Sequence, residues 1–233
     1  MHVHGARIVV TGATGVLGGK IATALAQHGA KLVVAGRDRT RLEHVREHSS
    51  ATAAAPFEAT NLDSCADLIS TAAERLGGID GLVIAHGVAV FGNAGDVHDD
   101  SATTAMTVNA LAPMALARAA LPHLRSGSVI AAVSAVLADY PTAGMSDYTA
   151  SKAALSAWLS ALRRENRRSG ITVCDLRPPH MDTGLEQRSL EGRAPTMPPA
   201  HAADEIVKQI MDALFEDAAA LSYDARSGQV RLQ

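Results

Sequence analysis

Ile8-Val9-Val10-Thr11-Gly12-Ala13-Thr14-Gly15-Val16-Leu17-Gly18 is the stretch that decides how this chain folds. Four β-branched residues in a row read as a buried strand, and the glycines then mark where a helix over residues 15–28 begins. Glycine here permits a tight turn. It also lets backbone N–H groups and the helix N-terminus approach a pyrophosphate that a Cβ would obstruct. Gly19-Lys20 raises the alternative of a triphosphatase phosphate loop. That alternative fails, because Gly15 to Gly19 is one residue short of the required spacing and Ile21 stands where a magnesium-binding hydroxyl belongs. A dinucleotide site is favoured, with Gly12, Thr14, Gly15, Val16 and Leu17 facing the pyrophosphate.

Outward from this turn the pattern repeats. Residues 31–35, 82–85, 129–134 and 171–176 read as further buried strands, with weaker ones at 56–58 and 219–222. Helical patterns over residues 39–48, 64–76, 102–124, 150–169 and 200–215 supply the crossovers. The expectation is an α/β single-domain Rossmann fold: a doubly wound parallel sheet of about seven strands with helices on both faces. No repeat, low-complexity tract or linker interrupts residues 1–233. Residues 180–199, rich in proline, glycine and charge, are expected to form a mobile flap over a substrate.

Composition agrees with one well-buried domain: 233 residues, 47% hydrophobic and 19% charged. A formal net charge of -3 argues against nucleic acid or an anionic membrane as the main partner. Arg163, Arg164, Arg167 and Arg168, at helical spacing, read as a solvated face. Cys65 and Cys174 lie far apart without metal-ligand spacing, so no metal site and a reduced, cytoplasmic setting are expected. The opening residues lack the apolar run of a signal peptide, and no apolar run reaches membrane-spanning length.

The chemistry is suggested by Tyr148-Thr149-Ala150-Ser151-Lys152. On a helix, residues four apart share a face, and a cation beside a phenol favours its ionised form. Alone, such a pair is more often a solvated helix face.

With the glycine-rich turn, Asn109 in Val108-Asn109-Ala110, Ser134 after Gly127-Ser128-Val129-Ile130, and Tyr148 with Lys152, the chain resembles the short-chain dehydrogenase/reductase family over nearly its whole length. The resemblance implies hydride transfer between a nicotinamide and a carbonyl or secondary alcohol carbon. Tyr148 would be the general acid/base. Ser134 would hold the substrate oxygen, Lys152 would lower the tyrosine pKa and bind the nicotinamide ribose, and Asn109 would hold a relay water.

The end of the second strand, Ala35-Gly36-Arg37-Asp38, bears on cofactor choice. A carboxylate that would accept from the ribose diol is replaced by Gly36, and the Arg37 guanidinium suits a 2′-phosphate, so NADP(H) is expected over NAD(H). Asp38 fits better as the cap of the next helix. By resemblance Asn61 and Leu62 would meet the adenine, and Pro178, Met181 and Thr183 the nicotinamide half. The family commonly carries Asn-Asn-Ala-Gly where this chain has Ile84-Ala85-His86-Gly87. The lost asparagines usually tie neighbouring strands. Ala85, His86 and Gly87 would still border the cofactor, His86 in a mainly structural role. The glycine spacing is that of the family's extended branch, but the chain is too short for it.

The pocket implied by the resemblance runs over residues 88–91, 135–141 and 180–190 with Met145, and Ser134, Val136, Tyr140, Met145 and Tyr148 would touch substrate. Its apolar lining suits a hydrophobic ketone or alcohol. The apolar face of Leu155, Trp158, Leu159 and Leu162 is either core or a subunit interface, and family analogy implies a homodimer or homotetramer. Two alternatives stay open: a dinucleotide-binding regulatory protein without turnover, and an isomerase or dehydratase using the same acid/base residues.

Overall fold

A computed structural model of the chain describes residues 1–224 and 227–233. Eight strands lie in one sheet in the order β3-β2-β1-β4-β5-β6-β7-β8. They are β1 (Arg7–Thr11), β2 (Lys31–Gly36), β3 (Ala53–Pro56), β4 (Gly81–Ile84), β5 (Val129–Val133), β6 (Thr172–Leu176), β7 (Ala220–Asp224) and β8 (Gln229–Leu232). The first seven run parallel, and β8 returns antiparallel beside β7. The helices are α1 (Val16–Gln27), α2 (Arg39–His48), α3 (Asp63–Leu76), α4 (Asp99–Met106), α5 (Ala112–Ala120), α6 (Ser146–Asn166) and α7 (Ala203–Phe215). Among the described residues no helix is long and apolar enough to cross a membrane.

Two apolar layers follow from the two-residue period of the strands. Ile8, Val10, Leu32, Val34, Ala131 and Cys174 face the layer shared with α1 and α7. Val9, Val33, Ile130, Ala132 and Val173 face the layer shared with α3, α5 and α6. Near-continuous apolar strands are required because both faces are covered. Each fully buried aliphatic side chain adds roughly 1.5–3 kcal/mol. Leu155, Leu159 and Leu162 belong to this core, while Trp158 is half-buried under the Arg118 guanidinium at 5.5 Å. Three of the four apolar residues on that face of α6 are therefore core, and Trp158 stays part-exposed.

Three expectations need correction. The weak third strand lies at Ala53–Pro56, ahead of residues 56–58, because three alanines pair with β2 before Pro56 removes an N–H donor. The helix expected over residues 102–124 starts earlier, at Asp99, and runs without a gap through α4, a wide π-turn at Thr107–Leu111 and α5, with Pro113 in the first turn of α5. The eighth strand went unread, since Gln-Val-Arg-Leu is short and half polar at a sheet edge. Strand order reverses between β1 and β4, and the crevice beyond their carboxyl ends is where an open α/β sheet binds its ligand.

Candidate active site

The glycine-rich turn closes that crevice from one side. Gly12 has φ +71°, and a Cβ on it would come within 2.5 Å of the His86 backbone nitrogen. At Gly18 a Cβ would collide with the Gly12 carbonyl, so α1 can pack on the turn only without one. The N-terminus of α1 has no side-chain cap, which leaves its first N–H groups for an anion. Thr14, Gly15 and Val16 border this opening, and Val16 is 39% exposed while Leu17 turns into the core. These features fit a dinucleotide pyrophosphate.

On the β2 side of the turn Arg37 is exposed just after β2, and Asp38 caps α2 by accepting from the Arg41 N–H at 3.0 Å. Arg41 went unread in the sequence. Its guanidinium donates to the Thr14 carbonyl at 2.7 Å, so a second cation lies against the turn. Asn61 accepts from the Asp63 N–H at 3.1 Å and so orders the start of α3, beside an exposed Leu62.

His86 follows β4 on the other side of the turn. Its Nδ1 is 2.8 Å from Thr11 Oγ1, and its ring meets Phe57 edge-on at 5.3 Å. Burial first, and the Lys152 ammonium next, push its pKa down to about 3, so the ring is neutral. The strand tie expected of the missing asparagines is made by this histidine, from β4 to the end of β1. Asn109 makes a second tie: it accepts from the Val88 N–H at 2.9 Å and donates to the Val88 carbonyl at 2.9 Å and to Ser151 Oγ at 3.0 Å. Both amide hydrogens are thus committed within the protein. The wide turn of helix around Asn109 aims its side chain this way. A Cβ on Gly87 would press on Asn109 Oδ1 at 3.1 Å and Lys152 Nζ at 3.3 Å. Ala85 donates to the Thr11 carbonyl at 3.1 Å.

Tyr148, Lys152 and Ser134 are all buried. Lys152 Nζ donates to the Val133 carbonyl at 2.9 Å and lies 6.0 Å from the Tyr148 ring centre. Burial pushes the Lys152 pKa down to about 8, with Asp175 acting the other way. Burial also pushes the Tyr148 phenol up to about 12. The expected downward pull of Lys152 on the phenol is outweighed at this separation by loss of water, so the phenol is neutral. Ser134 Oγ donates to Asp175 Oδ1 at 2.5 Å. Asp175 was missed, although a carboxylate inside an apolar strand run is itself a signal.

Around Tyr148 a small apolar cluster of Ala89, Phe91, Ala135 and Met145 is covered by Leu137, Leu185, Ala194 and Met197. Three of these covering residues come from the segment 180–199, which reaches further along the chain than residue 190. That segment is pinned: Leu190 donates to the Ala89 carbonyl at 2.8 Å and Phe91 to the Glu191 carbonyl at 3.0 Å. Met181 bridges to His201, Thr183 donates to the Met181 carbonyl, and the Pro178 carbonyl accepts from Val136. Tyr140 lies outside the cluster, 46% exposed, and Val136 is half-buried.

The short chain dehydrogenase family profile matches residues 6–194. This chain belongs to the short-chain dehydrogenase/reductase family. A dehydrogenase/reductase SDR family protein 7-like of Anopheles gambiae is 30% identical over 202 residues, covering 82% of this chain. The chain spans 64% of that relative's length. An uncharacterized oxidoreductase of Staphylococcus aureus is 29% identical over 76% of this chain and 78% of its own. Among solved structures, a short chain dehydrogenase from Burkholderia cenocepacia in complex with NADP aligns with TM-score 0.82 and 28% identity over 92% of each chain. A dehydrogenase/reductase from Sinorhizobium meliloti aligns with TM-score 0.81 and 26% identity over 91% of this chain and 90% of that one. The short-chain dehydrogenase/reductase reading of the sequence and its doubly wound sheet both hold. The protein is an oxidoreductase of a family that binds a nicotinamide cofactor.

Proposed function

We propose that this member is an NADP(H)-dependent oxidoreductase acting on a hydrophobic carbonyl or secondary alcohol, with Tyr148 as its general acid/base. The observation that carries the reading is a buried tyrosine in an apolar cluster, one helical turn from a buried lysine and beside the strand end that delivers Ser134. When bound, the nicotinamide supplies or accepts the hydride. The open N-terminus of α1, with Gly12, Thr14, Gly15, Val16 and Leu17, would hold the pyrophosphate. Pro178, Met181 and Thr183 would border the nicotinamide half, and Ala85, His86, Gly87, Asn61 and Leu62 the rest.

Protonated Tyr148 would donate to the developing alkoxide in a reduction and, as phenolate, take the proton back in the oxidative direction. Ser134 orients the substrate oxygen, and the flap residues Leu185, Ala194 and Met197 keep water from the reacting carbon. Arg37 and Arg41, both beside the Thr14 end of the crevice, favour a 2′-phosphate through charge-assisted contacts. The NADP complex of the Burkholderia relative supports the same preference.

The test is a screen with NADPH against a panel of ketones, following loss of reduced-nicotinamide absorbance. Tyr148→Phe is expected to lower turnover by roughly 10²–10⁴-fold with NADPH affinity nearly unchanged. Turnover unaffected by this substitution would sink the mechanism, and NADPH binding without reduction of any carbonyl would favour the regulatory alternative.

A further inference from the structure

Behind Ser134 lies a carboxylate that the mechanism above does not use. Asp175 sits in β6 as the register partner of Ala132, on the sheet face that carries α6, and is 3% exposed. Its Oδ1 accepts from Ser134 at 2.5 Å and its Oδ2 from Ser156 Oγ at 2.6 Å. Ser156 follows Lys152 by one helical turn, so Tyr148, Lys152 and Ser156 form one stripe along α6. Lys152 is itself bonded to Val133, the residue before Ser134. One carboxylate is therefore clamped between the strand that delivers the serine and the helix that delivers the lysine.

A carboxylate is expensive to bury unless its oxygens are satisfied and a cation stands near. Two hydroxyls satisfy it here. The nearest guanidinium is that of Arg177, with Nε 3.5 Å from Oδ2, but Arg177 makes its shorter contacts, 2.8 and 2.9 Å, with Asp139. Lys152 donates to a backbone carbonyl, that of Val133, and needs a negative charge nearby.

We propose that Asp175 is a positioning residue of the active site: its carboxylate fixes the Ser134 hydroxyl from behind and is the counter-charge that keeps the Lys152 ammonium charged. The proposal rests on the reading of Ser134 and Lys152 as active-site groups. The groups that face Lys152 are the Tyr148 phenol on its own helix, His86 from the end of β4, and Asp175 from β6 with Arg177 and Asp139 beyond it. The phenol and the imidazole are neutral, and Arg177 is balanced by Asp139, which leaves Asp175 as the charge that acts. The shift of Lys152 agrees in sign, since burial lowers it and Asp175 raises it.

The chain has four lysines, so carbon-13 labelling at the lysine ε position gives four resonances to follow against pH in the cofactor-free protein. The resonance that Lys152→Met removes should titrate near pH 8. In Asp175→Asn it should titrate about one unit lower or more. Ser156→Ala, which keeps the charge and removes one hydrogen bond, should leave it within a few tenths of a unit. An unmoved midpoint in folded Asp175→Asn, or an equal fall in Ser156→Ala, overturns the proposal. If Asp175→Asn does not fold by circular dichroism, Asp175→Ser decides: this smaller neutral side chain should lower the midpoint by about one unit as well, and a midpoint that stays or rises overturns it. No turnover enters this titration, so its failure leaves the hydride-transfer reading standing, and an inert screen leaves the titration intact.

Discussion

Replacing Lys152 with methionine should stabilise the protein at neutral pH while removing the proposed chemistry. Lys152 is 3% exposed, and burial lowers its pKa from 10.5 to about 8. At about 1.4 kcal/mol per unit, the charged form is penalised in the fold by ~3 kcal/mol. The sign is that of a depressed base. The penalty is fully present below pH 8, is relieved as pH rises from about 8 to 10.5, and is gone above 10.5. Methionine fills the same volume without the charge but strands the Val133 carbonyl, which costs about 1 kcal/mol. The net gain at pH 7 is ~2 kcal/mol, a rise in melting temperature of about 4–8 °C at this chain length.

Urea denaturation of both proteins without cofactor, from pH 7 to pH 10, measures the difference. It should shrink with rising pH and approach zero or reverse at the alkaline end. Tyr148 does not confound this window, because its raised phenol pKa removes stability only above pH 10. A difference that is flat across the range, or a less stable Lys152→Met at pH 7, would refute the argument that burial of this ammonium is costly.

Two further outcomes follow from the charges. Arg37→Ala should weaken NADPH by about tenfold or more, as expected for loss of a charge-assisted contact, with NADH changed little by fluorescence titration; equal losses would mean that Arg37 does not meet a phosphate. Asp80, bridged by Arg7 at 2.8 Å and Arg125 at 3.1 Å, has its pKa held down to about 2 by the Arg7 hydrogen bond first. Its contribution is present above about pH 4 and is lost as pH falls toward 2. After discounting for solvent it is about 1 kcal/mol, and Asp80→Asn should flatten the acid limb of the stability curve by that amount.

The fold was legible because its signal is local. The central strands β1, β2, β4 and β5 are largely apolar runs, and the turn through Gly12 and Gly18 excludes a Cβ for reasons visible in the spacing of the glycines. Asp38 was likewise readable as a cap from its place before Arg39. The strand Gln229–Leu232 was not, since its polar/apolar alternation runs for only four residues and its apolar side chains are no more than half-buried at the sheet edge.

The site was legible only where its residues share one element. Tyr148 and Lys152 lie four apart on α6, so helix geometry alone puts them on one face. Asp175 reaches Ser134 through the register of β5 on β6, and Ser156 through the packing of α6 on that sheet. Neither relation exists in the order of residues. The protonation of Tyr148 could not be read either: a lysine four residues away argues for a lowered pKa, and burial under Leu185, Ala194 and Met197, from a segment some forty residues further along the chain, argues for a raised one. The two arguments differ in distance. Lys152 acts from 6.0 Å and is held on Val133, whereas the apolar residues touch the ring, so desolvation wins. What the pair does to a substrate is thus set as much by the segment that covers it as by its own spacing.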